Sequence, residues 1–158
     1  MTQTAQATRC PVLIVGVGNI LMHDEGVGPC VISRLAGVNL PASVELLDGG
    51  IAGADLIDSI CDRRKVVFVD VVDAGLEPGS VIRMTGDEVT SDIRRSFSLH
   101  GFGLVETLIM AKQRGSPPQE VIVFGVAPED ISCGLGLSYR IEAAVANVIE
   151  LIFNELDE

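Results

Sequence analysis

Four acidic or imidazole-bearing features stand where chemistry is possible: the adjacent pair Asp24-Glu25, Asp48, Asp70, and His100 in a loop beside Gly101 and Gly103. The first three each follow a short run of aliphatic residues that reads as a buried strand. A carboxylate at the end of a buried strand is costly unless something partners it. Two or three converging carboxylates with one imidazole form a mixed oxygen and nitrogen donor set suited to Ni²⁺, Zn²⁺ or Mn²⁺. Each residue also has a plainer reading. Asp24 and Glu25 can complement the dipole of the helix that follows them. Asp48 before Gly49 and Gly50 can form an Asx-turn. Asp73 reads as a solvated turn acid and His23 as an exposed loop residue.

The elements that would position these groups alternate along the chain. Val12-Leu13-Ile14-Val15 reads as a buried strand, and residues 27–35 as an amphipathic helix that stops at Gly37 to Pro41. Val44 to Leu47 is a second strand, residues 53–61 a helix, Val66 to Val69 a third strand and Val81 to Met84 a fourth. Residues 86–99 are weakly patterned and read as a loop with a helical turn. A helix over 104–112, a strand over Val121 to Phe124 and a closing helix complete the order. Ser138 is expected to cap that last helix, whose apolar stripe is Ile141, Val145, Val148, Ile149 and Ile152. Strands apolar on both faces, alternating with helices, predict a single three-layer α/β/α domain. Its sheet should be mostly parallel and doubly wound, with about five strands. In such sheets the ligand-contacting residues gather at the carboxyl ends of the strands. Residues 1–10 read as a flexible tail and residues 11–158 as one domain.

Composition narrows the function classes. With 47% apolar and 21% charged residues, the chain of 158 residues has the makeup of a packed domain. Its formal net charge of −11 argues against nucleic acid and against anionic membrane surfaces. The polar start, Met1 to Thr8, lacks the basic and apolar regions of a secretory signal, and the run from Val12 to Met22 is too short to span a bilayer. The expected location is the cytoplasm. Cys10, Cys30, Cys61 and Cys133 are scattered without a CxxC pair, consistent with reduced thiols. Gly16-x-Gly18 is followed by Leu21 where a dinucleotide fingerprint needs a third glycine, and Asp24 and Glu25 would repel a pyrophosphate. There is no GxSxG elbow, no P-loop lysine and no HExxH pair. With so few histidines, an open site for a metal brought by something else is more plausible than a structural zinc site.

An ordered series of blocks resembles the [NiFe]-hydrogenase maturation endopeptidases. The first is Gly16-Val17-Gly18-Asn19-Ile20-Leu21 with Asp24-Glu25-Gly26-Val27-Gly28, followed by Val44-Glu45-Leu46-Leu47-Asp48-Gly49-Gly50 and Val67-Phe68-Val69-Asp70. Then come Ser98-Leu99-His100-Gly101-Phe102-Gly103-Leu104, Val123-Phe124-Gly125-Val126-x-Pro128-Glu129 and Gly136-Leu137-Ser138. The resemblance spans nearly the whole chain beyond its first ten residues. It implies a cytoplasmic protease that removes a C-terminal extension from the precursor of the hydrogenase large subunit after nickel insertion. It also implies that nickel carried by the substrate is the recognition element, with no tightly bound metal of the enzyme's own. The metal-binding trio falls on Glu25, Asp70 and His100, with Asp24 left as a helix-start acid. Asp48, Gly49, Gly50 and Gly101 would bind the peptide, and Glu25 or Asp70 would act as general base. The family's usual threonine after the two glycines is Ile51 here, which removes a hydroxyl. Two rivals remain: a non-catalytic nickel-sensing chaperone for the large subunit, and a Rossmann-like transferase. The residues leave the oligomeric state open, a monomer included.

Overall fold

The computed structural model describes residues 9–51, 53, 55–91, 96–97 and 103–157. The central strands form where the chain is aliphatic at every position. β1 (Val12–Val17) is buried throughout, and β3 (Lys65–Asp73) is buried over all but its last residue. Both can be buried on two faces because each has a strand on either side and helices above and below. β2 (Val44–Gly50) alternates between exposed and half-buried positions, as an edge strand does. β4 is Val81–Thr85, β5 is Ser96–Phe97 and β6 is Glu120–Val126. The sheet order is β2-β1-β3-β6-β4, with β5 attached to the end of β3. β2, β1, β3 and β6 are parallel; β4 runs antiparallel to β6, and β5 antiparallel to β3.

α1 (Val27–Leu35) and α5 (Tyr139–Leu156) cover one face, packing on Ile14, Val67, Val69, Ile122 and Phe124. α2 (Leu56–Ile60) and α4 (Leu104–Gln113) cover the other, over Leu13, Val15, Phe68 and Val123, with Val89 of α3 (Gly86–Ser91) beside them. The domain is therefore a single α/β unit with helices on both faces of a mostly parallel sheet, as the pattern predicts. The five expected strands are all present. The segment 86–99, expected as a loop with a helical turn, contains the short helix α3 and also the short strand β5, and the helix expected from Gly53 starts at Leu56. Weak patterning hid β5, because its stability comes from docking on β3 rather than from a repeat of its own.

Register aligns the strand ends. Gly16 of β1 lies between Asp48 of β2 and Val69 of β3, and Asp70 lies opposite Gly125 of β6. Asp48 and Asp70 thus share one edge of the sheet. The opposite edge is closed by a buried cation: Lys65, only 2% exposed, donates to the Glu155 carbonyl at 2.9 Å. Its Nζ is 3.4 Å from the carboxylates of both Glu155 and Glu120, and Arg83 also pairs with Glu155. Among the described residues no helix is long and apolar enough to cross a membrane.

Candidate functional site

After β1 the chain cannot continue straight, because the sheet ends and α1 must return over its face. A 3-10 turn, His23–Gly26, makes the reversal and leads into α1. Close approach is what holds this turn against the strand ends. A Cβ on Gly28 would lie 2.3 Å from the Val17 carbonyl and 2.6 Å from that of Val69, so only glycine lets α1 start wedged against β1 and β3. One residue upstream of that wedge, the turn packs on β3.

This geometry places Glu25 and Asp70 in the interior at one edge: Glu25 is 1% exposed and Asp70 is fully buried. By strand alternation Asp70 points to the same face as Phe68 and Val72, toward α2 and α4. One Asp70 oxygen accepts the Val71 N–H at 2.8 Å. Two buried carboxylates from separate elements are hard oxygen donors, and a divalent cation would offset their mutual repulsion. Among the described residues, however, no group of three or more histidine, cysteine or carboxylate side chains is placed to hold one ion. His100 and Gly101 lie outside the described residues. On either side of them stand β5, whose Phe97 lies opposite Val72, and Gly103, whose N–H donates to Glu106 at 3.0 Å at the start of α4. The Thr107 hydroxyl, fully buried, is 3.0 Å from the Gly103 carbonyl and 3.2 Å from that of Gly53, and so ties α4 to the loop after β2.

Asp24 is not the helix-start acid that the sequence suggests. No side chain caps the turn or α1. Instead its fully buried carboxylate accepts four hydrogen bonds from the loop between β6 and α5. The Glu129 and Asp130 N–H groups donate at 2.9 and 2.8 Å, the Ser138 N–H at 2.7 Å and the Ser138 hydroxyl at 2.5 Å. Ser138 precedes α5 as expected, yet its hydroxyl is given to Asp24 rather than to the helix. Asp24 and Glu25 therefore differ in kind. A carboxylate saturated by donors from one loop is a structural clasp, while its neighbour Glu25 is buried in the turn that packs on β3.

His23 is half-buried, not an exposed loop residue, because it belongs to the same clasp. Its backbone sits at φ 43°, and its Nδ1 is 3.0 Å from the Gly136 carbonyl. Its ring leaves no room for a side chain on Gly134, whose Cβ would lie 2.1 Å from Nε2. Asp130 is held below the usual carboxylate range by hydrogen bonds from the Ser132 hydroxyl and N–H, which outweigh partial desolvation, with help from the His23 charge. None of these pairings, across more than a hundred residues, has a signal in local spacing. The only hint lay in the blocks around Pro128-Glu129 and Gly136-Leu137-Ser138.

Asp48 is exposed and accepts the Gly50 N–H at 3.0 Å, an Asx-turn. Gly49 is buried against Leu56 and Val15. Gly50, at φ 49°, is half-buried with open space where a side chain would project, and its carbonyl accepts the Gly18 N–H at 2.8 Å.

The chain is similar to known proteins over most of its length. The sequence pattern of the HycI-type hydrogenase maturation protease family matches residues 29–155, a span that includes Asp70 and begins just past Glu25. The hydrogenase 2 maturation protease of Escherichia coli is 32% identical over 149 residues, covering 93% of this chain and 91% of that protein. Among solved structures, the hydrogenase maturating endopeptidase HybD from E. coli superposes with a TM-score of 0.85 at 31% identity, over 92% of this chain and 91% of that one. A hydrogenase 2 maturation peptidase from a Thaumarchaeota archaeon gives 0.73 at 34% identity, over 92% and 97%. A family pattern matched over most of the chain, and a relative 32% identical over nearly its whole length, make the chain a member of the hydrogenase maturation protease family.

Proposed function

We propose that this peptidase removes the C-terminal extension of the [NiFe]-hydrogenase large-subunit precursor after nickel insertion, and that nickel carried by the substrate is what it recognises. The observation that carries the reading is the burial of Glu25 and Asp70, from a turn and a strand, at one end of the sheet. A carboxylate pair with so little exposure is poorly suited to a solvent-facing role and well suited to a desolvated cation presented by a bound partner. In this reading His100 supplies the third, imidazole donor.

The chain's own contribution is positional. Gly28 and the Asp24 clasp hold the turn that carries Glu25, and β3 holds Asp70. A peptide strand can approach the backbone at Gly50, where no side chain intervenes. The substrate's nickel, next to the scissile peptide, would polarise its carbonyl or a water, and Glu25 or Asp70 would accept the proton. The reading places the enzyme in the cytoplasm with the precursor.

The test is mass spectrometry of nickel-loaded precursor incubated with the wild type and with Glu25→Gln, Asp70→Asn and His100→Ala variants. Shortening by the wild type and loss of shortening in the variants supports the assignment. Undiminished cleavage by His100→Ala removes that residue from the site. Binding without shortening by the wild type would make the protein a nickel-checking chaperone instead.

A further inference from the structure

Five large apolar side chains are more than half exposed among the described residues: Ile20, Leu21, Ile51, Leu135 and Tyr139, at 57, 57, 67, 74 and 89%. All five stand at the edge of the sheet where Glu25 and Asp70 lie. Ile20 and Leu21 are on the loop leaving β1, Ile51 follows β2, Leu135 is on the loop leaving β6, and Tyr139 opens α5. Val38, Ile109 and Met110, elsewhere on the molecule, and Leu76, on the loop leaving β3, are all less exposed.

These loops are not free to fold their apolar groups inward. The Gly18 N–H donates to the Gly50 carbonyl at 2.8 Å, joining the loops after β1 and β2. The Gly134 N–H donates to the Leu21 carbonyl at 2.8 Å, the His23 N–H to the Gly134 carbonyl at 2.9 Å, and the Asp24 N–H to the Asp130 carbonyl at 3.0 Å. With the Asp24 carboxylate added, the backbones that carry Leu21 and Leu135 are tied together while both side chains remain exposed. Apolar surface held outward by buried polar bonds marks an interaction surface.

We infer that Ile20, Leu21, Ile51, Leu135 and Tyr139 form a preassembled apolar rim that docks the precursor protein around the buried carboxylates, an inference that rests on the proposed function. Two observations choose this occupant. The rim residues stand on loops, and at the start of α5, at the edge where, on the proposed function, the precursor presents its scissile peptide. A second copy of the chain would bring two bodies of formal charge −11 together, and an anionic partner would be repelled in the same way. A cleft of about 360 Å³ beside the turn, bordered by Ile20, His23, Asp48 and Leu137, gives the rim a pocket for a protruding side chain.

The experiment measures cleavage across a range of nickel-loaded precursor concentrations by mass spectrometry. The Leu21→Ser/Leu135→Ser double variant should raise KM about tenfold, with the loss falling on KM rather than kcat. Ile109→Ser/Met110→Ser, exposed on α4, should match the wild type. An unchanged KM in a double variant with wild-type circular dichroism overturns the inference. So does a wild-type dimer in sedimentation velocity that the double variant dissolves, since the rim would then be a self-interface. If the double variant does not fold, Leu135→Ser and Tyr139→Ser singly carry the same comparison. If the wild type binds the precursor without shortening it, the peptidase reading fails on its own, and the rim is judged by binding: about tenfold weaker affinity in the double variant sustains it, and equal affinity overturns it.

Discussion

Replacing Asp24 by alanine removes the acceptor for four hydrogen bonds at once, three from backbone N–H groups and one from the Ser138 hydroxyl. Bonds to an ionised acceptor contribute about 1.5–3 kcal/mol each, so the gross loss is roughly 6–12 kcal/mol. Two effects reduce it. The variant no longer buries a carboxylate, whose desolvation costs several kcal/mol. The freed donors, at the margin of the clasp, are also partly reached by water. Breaking a buried charged network by removing one partner costs about 3–5 kcal/mol in net terms, and that is the expected loss here. For a chain of this size the melting temperature should fall by about 10 °C. Asp24→Asn keeps the shape and one accepting oxygen and should lose about half as much. Urea unfolding followed by circular dichroism measures the difference, and amide exchange locates it: Glu129, Asp130 and Ser138 should lose protection. Were Asp24 a helix-start acid instead, the loss would be about 1 kcal/mol and would fall on the first turn of α1. A loss of that size with intact protection at 129–138 refutes the clasp.

Gly28→Ala should destabilise by about 3 kcal/mol or more, because the new Cβ meets backbone atoms of Val17 and Val69 that cannot move aside. Gly37→Ala, whose Cβ would meet only the Arg34 carbonyl at 3.6 Å, should stay within about 0.5 kcal/mol; thermal melts compare the two. At the opposite edge, burial disfavours the Glu155 charge, but the Arg83 hydrogen bond and charge, aided by Lys65, outweigh it and hold the carboxyl below the usual glutamate range. Its folded pKa being lower than its unfolded one, its contribution is present above pH of about 4.3 and disappears as pH falls through the folded value. The stability gap between wild type and Glu155→Gln should therefore narrow on acidification, as urea titrations across that range would show; a constant gap contradicts the pairing. Glu25→Gln and Asp70→Asn should each lower precursor cleavage at least about a hundredfold while the fold is kept, as mass spectrometry and circular dichroism together report.

Much of the architecture is legible along the chain because buried parallel strands leave a periodicity of their own. Runs such as Val66-Val67-Phe68-Val69 can satisfy their backbone only between neighbours and must be covered on both faces. Strand-end logic then brings Asp48, Asp70 and the Asp24-Glu25 loop to one edge, and the register puts Asp48 and Asp70 at that end of β2 and β3. What no local pattern contains is the difference between Asp24 and Glu25. Two adjacent acids have the same propensity and the same spacing. Only packing of the turn on β3, with the β6–α5 loop folded over it, gives Asp24 four donors and buries Glu25 beside it. The outward rim is likewise a tertiary fact. Ile20, Leu21 and Leu135 read in sequence as ordinary apolar residues of loops, and their exposure follows from backbone bonds formed across more than a hundred residues of chain. The sequence by itself determined which groups reach the edge, since strand length and alternation are local. Their roles were decided by long-range hydrogen bonds, which depend on partners that local spacing does not specify.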